Sequence, residues 1–131
     1  MVEQLGAGDM SESPFTFAQA RAAAHQASIR QVEAERDRAQ AVENAAAAEL
    51  AYRTALARKI VELHADGVAW STTADIARGD KTVADLRMRR DVAAGVKEIQ
   101  EQAGFRLNAD RRVLERLVEW SMRRELAEGG A

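Results

Sequence analysis

FTFAQARAAAHQASIRQVEAERDRAQAVENAAAAELAYRTALARKIVELH, residues 15–64, decides how this chain reads. No glycine or proline interrupts these residues, and alanine, the strongest helix former, dominates them. They read as one continuous α-helix. At a rise of about 1.5 Å per residue it is roughly 75 Å long, about twice the diameter of a 131-residue globule. The rest of the chain is too short to wrap such a helix. The helix is therefore expected to pack against copies of itself or against a partner.

Large apolar side chains are sparse in its first half, at Ile29, Val32 and Val42. They gather later as Leu50, Tyr52, Leu56, Ile60, Val61 and Leu63. Spacings of eleven recur in Ala39–Leu50–Val61, Ala45–Leu56 and Tyr52–Leu63. An eleven-residue repeat drifts away from a left-handed heptad seam. Leu50, Leu56, Ile60 and Leu63 are the expected oligomer interface. The mixed charges of RQVEAERDRAQ, residues 30–40, form a solvated face with weak ion pairs.

Outward from this helix, residues 1–13 read as a disordered tail. Ser13-Pro14 offers a helix start, with Thr16 as a competing cap. The first helix is thus expected over 14–66, where Gly67 suits the left-handed position after a last turn. Val68, Ala69 and Trp70 form an apolar plug over the corner. Residues 67–80 hold a turn and a short helix, with Thr72-Thr73-Ala74-Asp75 spaced like a capping box. That helix ends near Arg78-Gly79, and Asp80 or Thr82 restarts the chain. Residues 81–128 carry the C-terminal helices, and 129–131 are a frayed end. Val83, Leu86, Val92, Val96, Ile99 and Ala103 form an expected apolar seam, with Arg87, Arg90 and Lys97 on another face. Gly104 either breaks the helix, leaving Asn108 to cap a third one, or lies within a continuous one. In the last stretch Val113, Leu114, Leu117, Val118 and Met122 are expected to be buried. The fold class is all-α, a long N-terminal helix folded back as an antiparallel helical hairpin in an oligomeric, coiled-coil-like assembly.

Composition agrees. Of the apolar residues, 28 are alanine and 33 are larger. Burial scales with apolar area, so an alanine-heavy core is thin and favours helices sharing close seams. One proline and 31% charged residues fit an almost wholly helical chain. There are no cysteines, which excludes disulfides and thiolate metal sites. No apolar run approaches the roughly 20 residues of a membrane span. The N-terminus lacks a basic and then apolar leader, so a cytoplasmic protein is expected.

Chemistry is hard to place. His25 and His64 lie about 58 Å apart along a straight helix. No metal-binding, nucleophile-elbow or phosphate-loop motif occurs, and the carboxylates of the helices have arginines nearby in sequence. The reading is no enzyme, no cofactor and no small-molecule substrate. The net charge is −2, yet residues 78–124 hold twelve basic and eight acidic groups. Arg78, Lys81, Arg87, Arg89, Arg90 and Lys97 are the candidate nucleic-acid-binding residues. An oligomer would multiply this modest excess, and phosphate binding grows with the number of phosphates neutralised.

ELAYRTALARKI at 49–60, HADGVAW at 64–70, ARGDKTVADL at 77–86 and VLERLVEWSMRRE at 113–125 follow one another in a layout. That layout resembles the small all-helical phage proteins of the UvsY-type recombination mediator class. The resemblance spans roughly residues 30–126. It implies oligomeric rings that bind single-stranded DNA and help load a recombinase. Function is therefore expected to be that of a recombination or replication accessory. The alternative is a coiled-coil scaffold that does not touch nucleic acid.

Overall fold

The computed structural model describes residues 16–129, and all but six of these are helical. Helix α1 spans Phe17–Ala65, α2 spans Trp70–Gly79 and α3 spans Lys81–Gly129. The all-α expectation holds, and among the described residues there is no strand. The tail at 1–13, the Ser13-Pro14 start and residues 130–131 lie outside the described residues. Gly129, the last described residue, is helical.

Thr16 is the cap of α1. Its hydroxyl accepts from the Gln19 N–H at 3.2 Å, and Gln19 Oε1 accepts from the Thr16 N–H at 3.0 Å. This reciprocal pair satisfies two amide donors that the first turn leaves without partners. The far end closes as the sequence indicates. Gly67 has φ +94°, its N–H reaches the His64 carbonyl at 3.0 Å, and the Val68 N–H reaches Leu63 at 3.1 Å. Those two bonds are the Schellman arrangement, which needs a residue without Cβ strain at positive φ.

The chain divides into two compact units. One holds α1 up to Val32 with α3 from Phe105 onward. There the two helices run in opposite directions. The Phe17 N–H donates to Glu125 Oε1 at 3.2 Å, and Gln31 Nε2 donates to Asn108 Oδ1 at 3.5 Å. The other unit, Glu33–Gly104, holds the rest of α1, all of α2 and the start of α3. Here too α1 and α3 are antiparallel, with Lys59 near Asp80 at 3.7 Å and Glu49 near Arg90 at 3.6 Å.

The seam on α1 is built from alanine. Ala20 and Ala27 are buried in the first unit, and Ala34 and Ala41 in the second, a step of seven throughout. Seven residues are nearly two turns, so these positions return to one face. The eleven-residue spacings divide: Tyr52 is buried and Ala45, Leu56 and Leu63 are half-buried, but the remaining series is not. Ala39, Leu50 and Val61 are all exposed, Leu50 at 67%. Beyond Ala41 the seam gains one large side chain, buried Tyr52.

Helix α3 answers with steps of three and four. Val83 is buried, and Leu86, Arg90, Ala93, Lys97 and Gln100 are half-buried. In the other unit Leu107, Arg111, Leu114 and Val118 are half-buried, and Ser121 is fully buried. This corrects the expected seam. Val92, Val96 and Ile99 are exposed, as are Val113 and Met122. The physical reason is steric. Alanines on one side admit the partner helix closely, and the face of α3 carrying Val83, Leu86 and Ala93 fits them even with arginine and lysine interleaved. The long stems of those cations cover apolar surface while their charged heads reach out.

Helix α2 also starts differently from the capping-box reading. It begins at Trp70 behind Ala69, which makes no side-chain cap. Thr72 and Thr73 sit inside it, their hydroxyls donating back to the Ala69 and Trp70 carbonyls at 3.1 and 2.9 Å. Asp80 restarts the chain, accepting from the Val83 N–H at 3.3 Å. No break occurs at Gly104, and α3 is continuous through Asn108. Instead of capping a helix, Asn108 accepts from Gln31 and from Arg111.

Replacing Ala34 with leucine should force the helices apart in the second unit and cost about 1–3 kcal/mol of stability. Ala39→Leu, on the exposed face, should cost almost nothing. Urea denaturation of both variants checks the seam assignment.

Candidate functional site

The six basic residues picked out in the sequence divide into two sets. Arg78, Lys81, Arg87 and Arg89 are exposed. Arg90 and Lys97 are half-buried at seam positions of α3. Arg87, Arg90 and Lys97 therefore do not share one solvent face. A step of three on a helix turns the side chain back only part of the way, and here the roughly 60° that remains carries Arg90 to the α1 side.

Arg90 is fully engaged. Its Nε and Nη2 donate to Asp91 Oδ1 at 3.0 and 2.9 Å, and Nε lies 3.6 Å from Glu49 Oε2. The guanidinium also sits 4.4 Å above the Tyr52 ring, a favourable cation–π placement. The Asp91 hydrogen bond raises its pKa above the ordinary arginine value, the Asp91 and Glu49 charges add to this, and burial opposes it. Arg78 is partly neutralised as well, with Nη1 3.2 Å from Asp75 Oδ1. It nonetheless shares an open groove with Arg87, floored by Ala84, Met88 and Val92 and edged by Asp91. That groove brings cations from α2 and α3 together.

The expected oligomer interface divides too. Leu50 is exposed, whereas Leu56, Ile60 and Leu63 are half-buried within the second unit. What the sequence reading missed is a stripe on α3. Met88 is 61% exposed, Val92 60%, Val96 43% and Ile99 66%. Met88, Val92 and Val96 border a groove completed by Ala93, Arg89 and, from α1, Ala41 and Asn44. The signal that would have found the stripe is the alanine heptad of α1. Once the seam is taken through Ala34, Ala41 and Tyr52, the opposing face of α3 carries Leu86, Arg90, Ala93, Lys97 and Gln100, and the valines are left outside.

Trp70 and Trp120 are the two tryptophans. Trp70 does not plug the corner as expected. It is 62% exposed and stacks on His64, with ring centroids 3.6 Å apart and planes 21° from parallel. His64 Nδ1 lies 3.2 Å from the Val68 carbonyl, which makes that nitrogen the donor. Trp120 is partly exposed and carries the Arg124 guanidinium 4.9 Å above its ring. At the start of α1, Phe17, Ala18, Arg21, Ala22 and His25 line a shallow apolar groove. Among the described residues no three histidine, aspartate or glutamate side chains gather as a metal site. No helix among them is long and apolar enough to cross a membrane.

Comparison of the chain with protein-family models, with curated proteins and with solved structures yields no match. The surfaces described above therefore carry the functional argument alone.

Arg90→Ala should lower the melting temperature, since it removes the link to Glu49 and the cap over Tyr52. Arg87→Ala should leave it unchanged. Thermal unfolding followed by circular dichroism separates the two, and equal melting temperatures would place Arg90 outside the seam.

Proposed function

We propose that this chain is a non-enzymatic helical interaction protein that assembles with copies of itself. One observation carries the reading. The buried positions of α1 are alanine except for Tyr52, while Leu50, Val61, Met88, Val92, Ile99, Phe105, Val113 and Leu126 are each 60% exposed or more. Monomers rarely leave contiguous apolar patches of more than a few hundred Å² in water. Large apolar side chains aligned along helices are suited to other helices. Multi-angle light scattering over a range of concentrations should give a mass well above 14.3 kDa that falls on dilution. A constant monomer mass would overturn the reading.

The open groove shared by Arg78 and Arg87 favours a second reading, in which the assembled protein binds single-stranded DNA as a recombination or replication accessory, in the manner of a phage mediator that helps load a recombinase. Arg78, Lys81, Arg87 and Arg89 would touch phosphates, with Arg90 and Lys97 supporting the seam behind them. Replacing Arg87 and Arg89 together by alanine should then weaken binding to every sequence alike. The slope of log affinity against log salt should flatten by roughly 0.7 for each phosphate that is no longer neutralised. Titration of labelled single strands at several salt concentrations tests this. Absence of binding by the wild type at low salt leaves the scaffold role without nucleic acid.

A further inference from the structure

We infer that two copies of this chain pair through the exposed stripe of α3, antiparallel and centred between Gly95 and Val96. The inference rests on the self-association reading and adds the surface and its register. At about 100° per residue, exposed Met88, Val92, Val96 and Ile99 and half-buried Gly95 and Ala103 fall on one side of α3, away from the seam positions Leu86, Arg90, Ala93 and Lys97.

A second copy is favoured as the occupant because the stripe is complementary to its own reverse. With a two-fold axis between Gly95 and Val96, Val92 of one copy faces Ile99 of the other. Met88 then faces Ala103, and Gly95 faces Val96. The long side chain meets a short one at each end, and a residue without a side chain meets a branched one at the centre. Two-fold pairs are self-complementary in this sense, each residue meeting its counterpart twice.

Gly95 supports the same conclusion. A glycine inside a helix is unfavourable relative to alanine. A Cβ built on Gly95 meets nothing within 4 Å, as at Gly104 in the same helix, so this chain's own packing gives no reason for either, and Gly95 is the one that lies on the stripe. A close approach by another helix does. Charge argues against other occupants. None of the six stripe residues is charged, and the positions beside them carry both signs, Arg89 on the α1 side and Asp91 and Glu98 on the other. Neither a phosphate backbone nor an anionic bilayer is matched by such a border.

The stripe is short. From Met88 to Ala103 it covers roughly 22 Å of helix, less than an interface of about 800 Å² per partner requires. The groove wall of Ala41 and Asn44 adds contact on one side only. The pair is accordingly weak and reversible, with dissociation in the micromolar range.

Sedimentation of the full chain between about 0.5 and 500 µM, a span that brackets micromolar dissociation, tests it. Val92→Lys alone and Ile99→Glu alone should each weaken association about tenfold or more, since each buries an unpaired charge. The double variant places each lysine opposite the other copy's glutamate, twice over, and should recover association. Both positions are exposed, so circular dichroism should show an unchanged fold in all three variants. If the wild type associates and neither single variant differs from it, the α3 stripe is the wrong surface while self-association stands. If the single variants dissociate and the double variant does not recover, the antiparallel register is wrong. A wild type that stays monomeric throughout defeats both the pairing and the reading beneath it.

Discussion

The step of seven between buried alanines on α1 is the constraint from which the rest follows. Ala20, Ala27, Ala34 and Ala41 hold one face of the helix flat. A flat face brings a second helix close, and backbone proximity replaces the bulk of large side chains as the source of packing. Dispersion attraction grows with closeness, so the arrangement is stable without much apolar area. Its consequence is that some of the chain's larger apolar residues find no interior to fill. Leu50 and Val61 on α1, and Met88, Val92 and Ile99 on α3, stand outside for that reason.

A seam this shallow tolerates polar residues that a leucine-filled core would reject. Arg90 and Lys97 occupy seam positions of α3. Arg90 pairs there with Glu49 and lies over Tyr52, the one large buried side chain of α1. Gln31 and Asn108 link the helices in the other unit. Each such pair is geometrically specific. A shift of one residue along either helix would remove the tyrosine from beneath the guanidinium. Alanine matches alanine in almost any register, so these polar pairs supply the discrimination that the apolar part of the seam lacks.

Backbone rules made the ends of the elements legible in the sequence. Gly67 had to be the stop of α1, because only glycine takes φ +94° without strain. Asp80 was one of two candidate restarts, and its carboxylate does receive the Val83 amide. The capping-box spacing at Thr72 misled because threonine hydroxyls also bond back to carbonyls of the preceding turn, which they do here toward Ala69 and Trp70. The long helices themselves followed from uninterrupted alanine. Their facing did not. Val83 and Leu86 read as interior and are packed, but hydrophobicity ranks valine above alanine, so Val92, Val96 and Ile99 also read as interior where Ala93 holds that place. An alanine can satisfy any periodicity, and Ala39–Leu50–Val61, which is exposed throughout, is one such accidental match.

The same ambiguity governed the functional residues. Arg87, Arg89 and Arg90 are near neighbours in sequence, and a count of charges treats them alike. The seam separates them. Arg90 turns to α1 and meets Glu49, Asp91 and Tyr52, while Arg87 and Arg89 remain in solvent. An arginine held by two carboxylates and a ring has committed its donors inside its own chain, and a ligand would have to break that arrangement before using it. The exposed cations left at the α2–α3 junction are few, and Asp75 and Asp91 stand among them. By contrast the apolar stripe of α3 is continuous, uncharged and unopposed. Electrostatic attraction at the junction is diluted by nearby carboxylates and screened by salt, whereas burial of the stripe is not. Between the two surfaces, the apolar one therefore has the stronger driving force toward a partner.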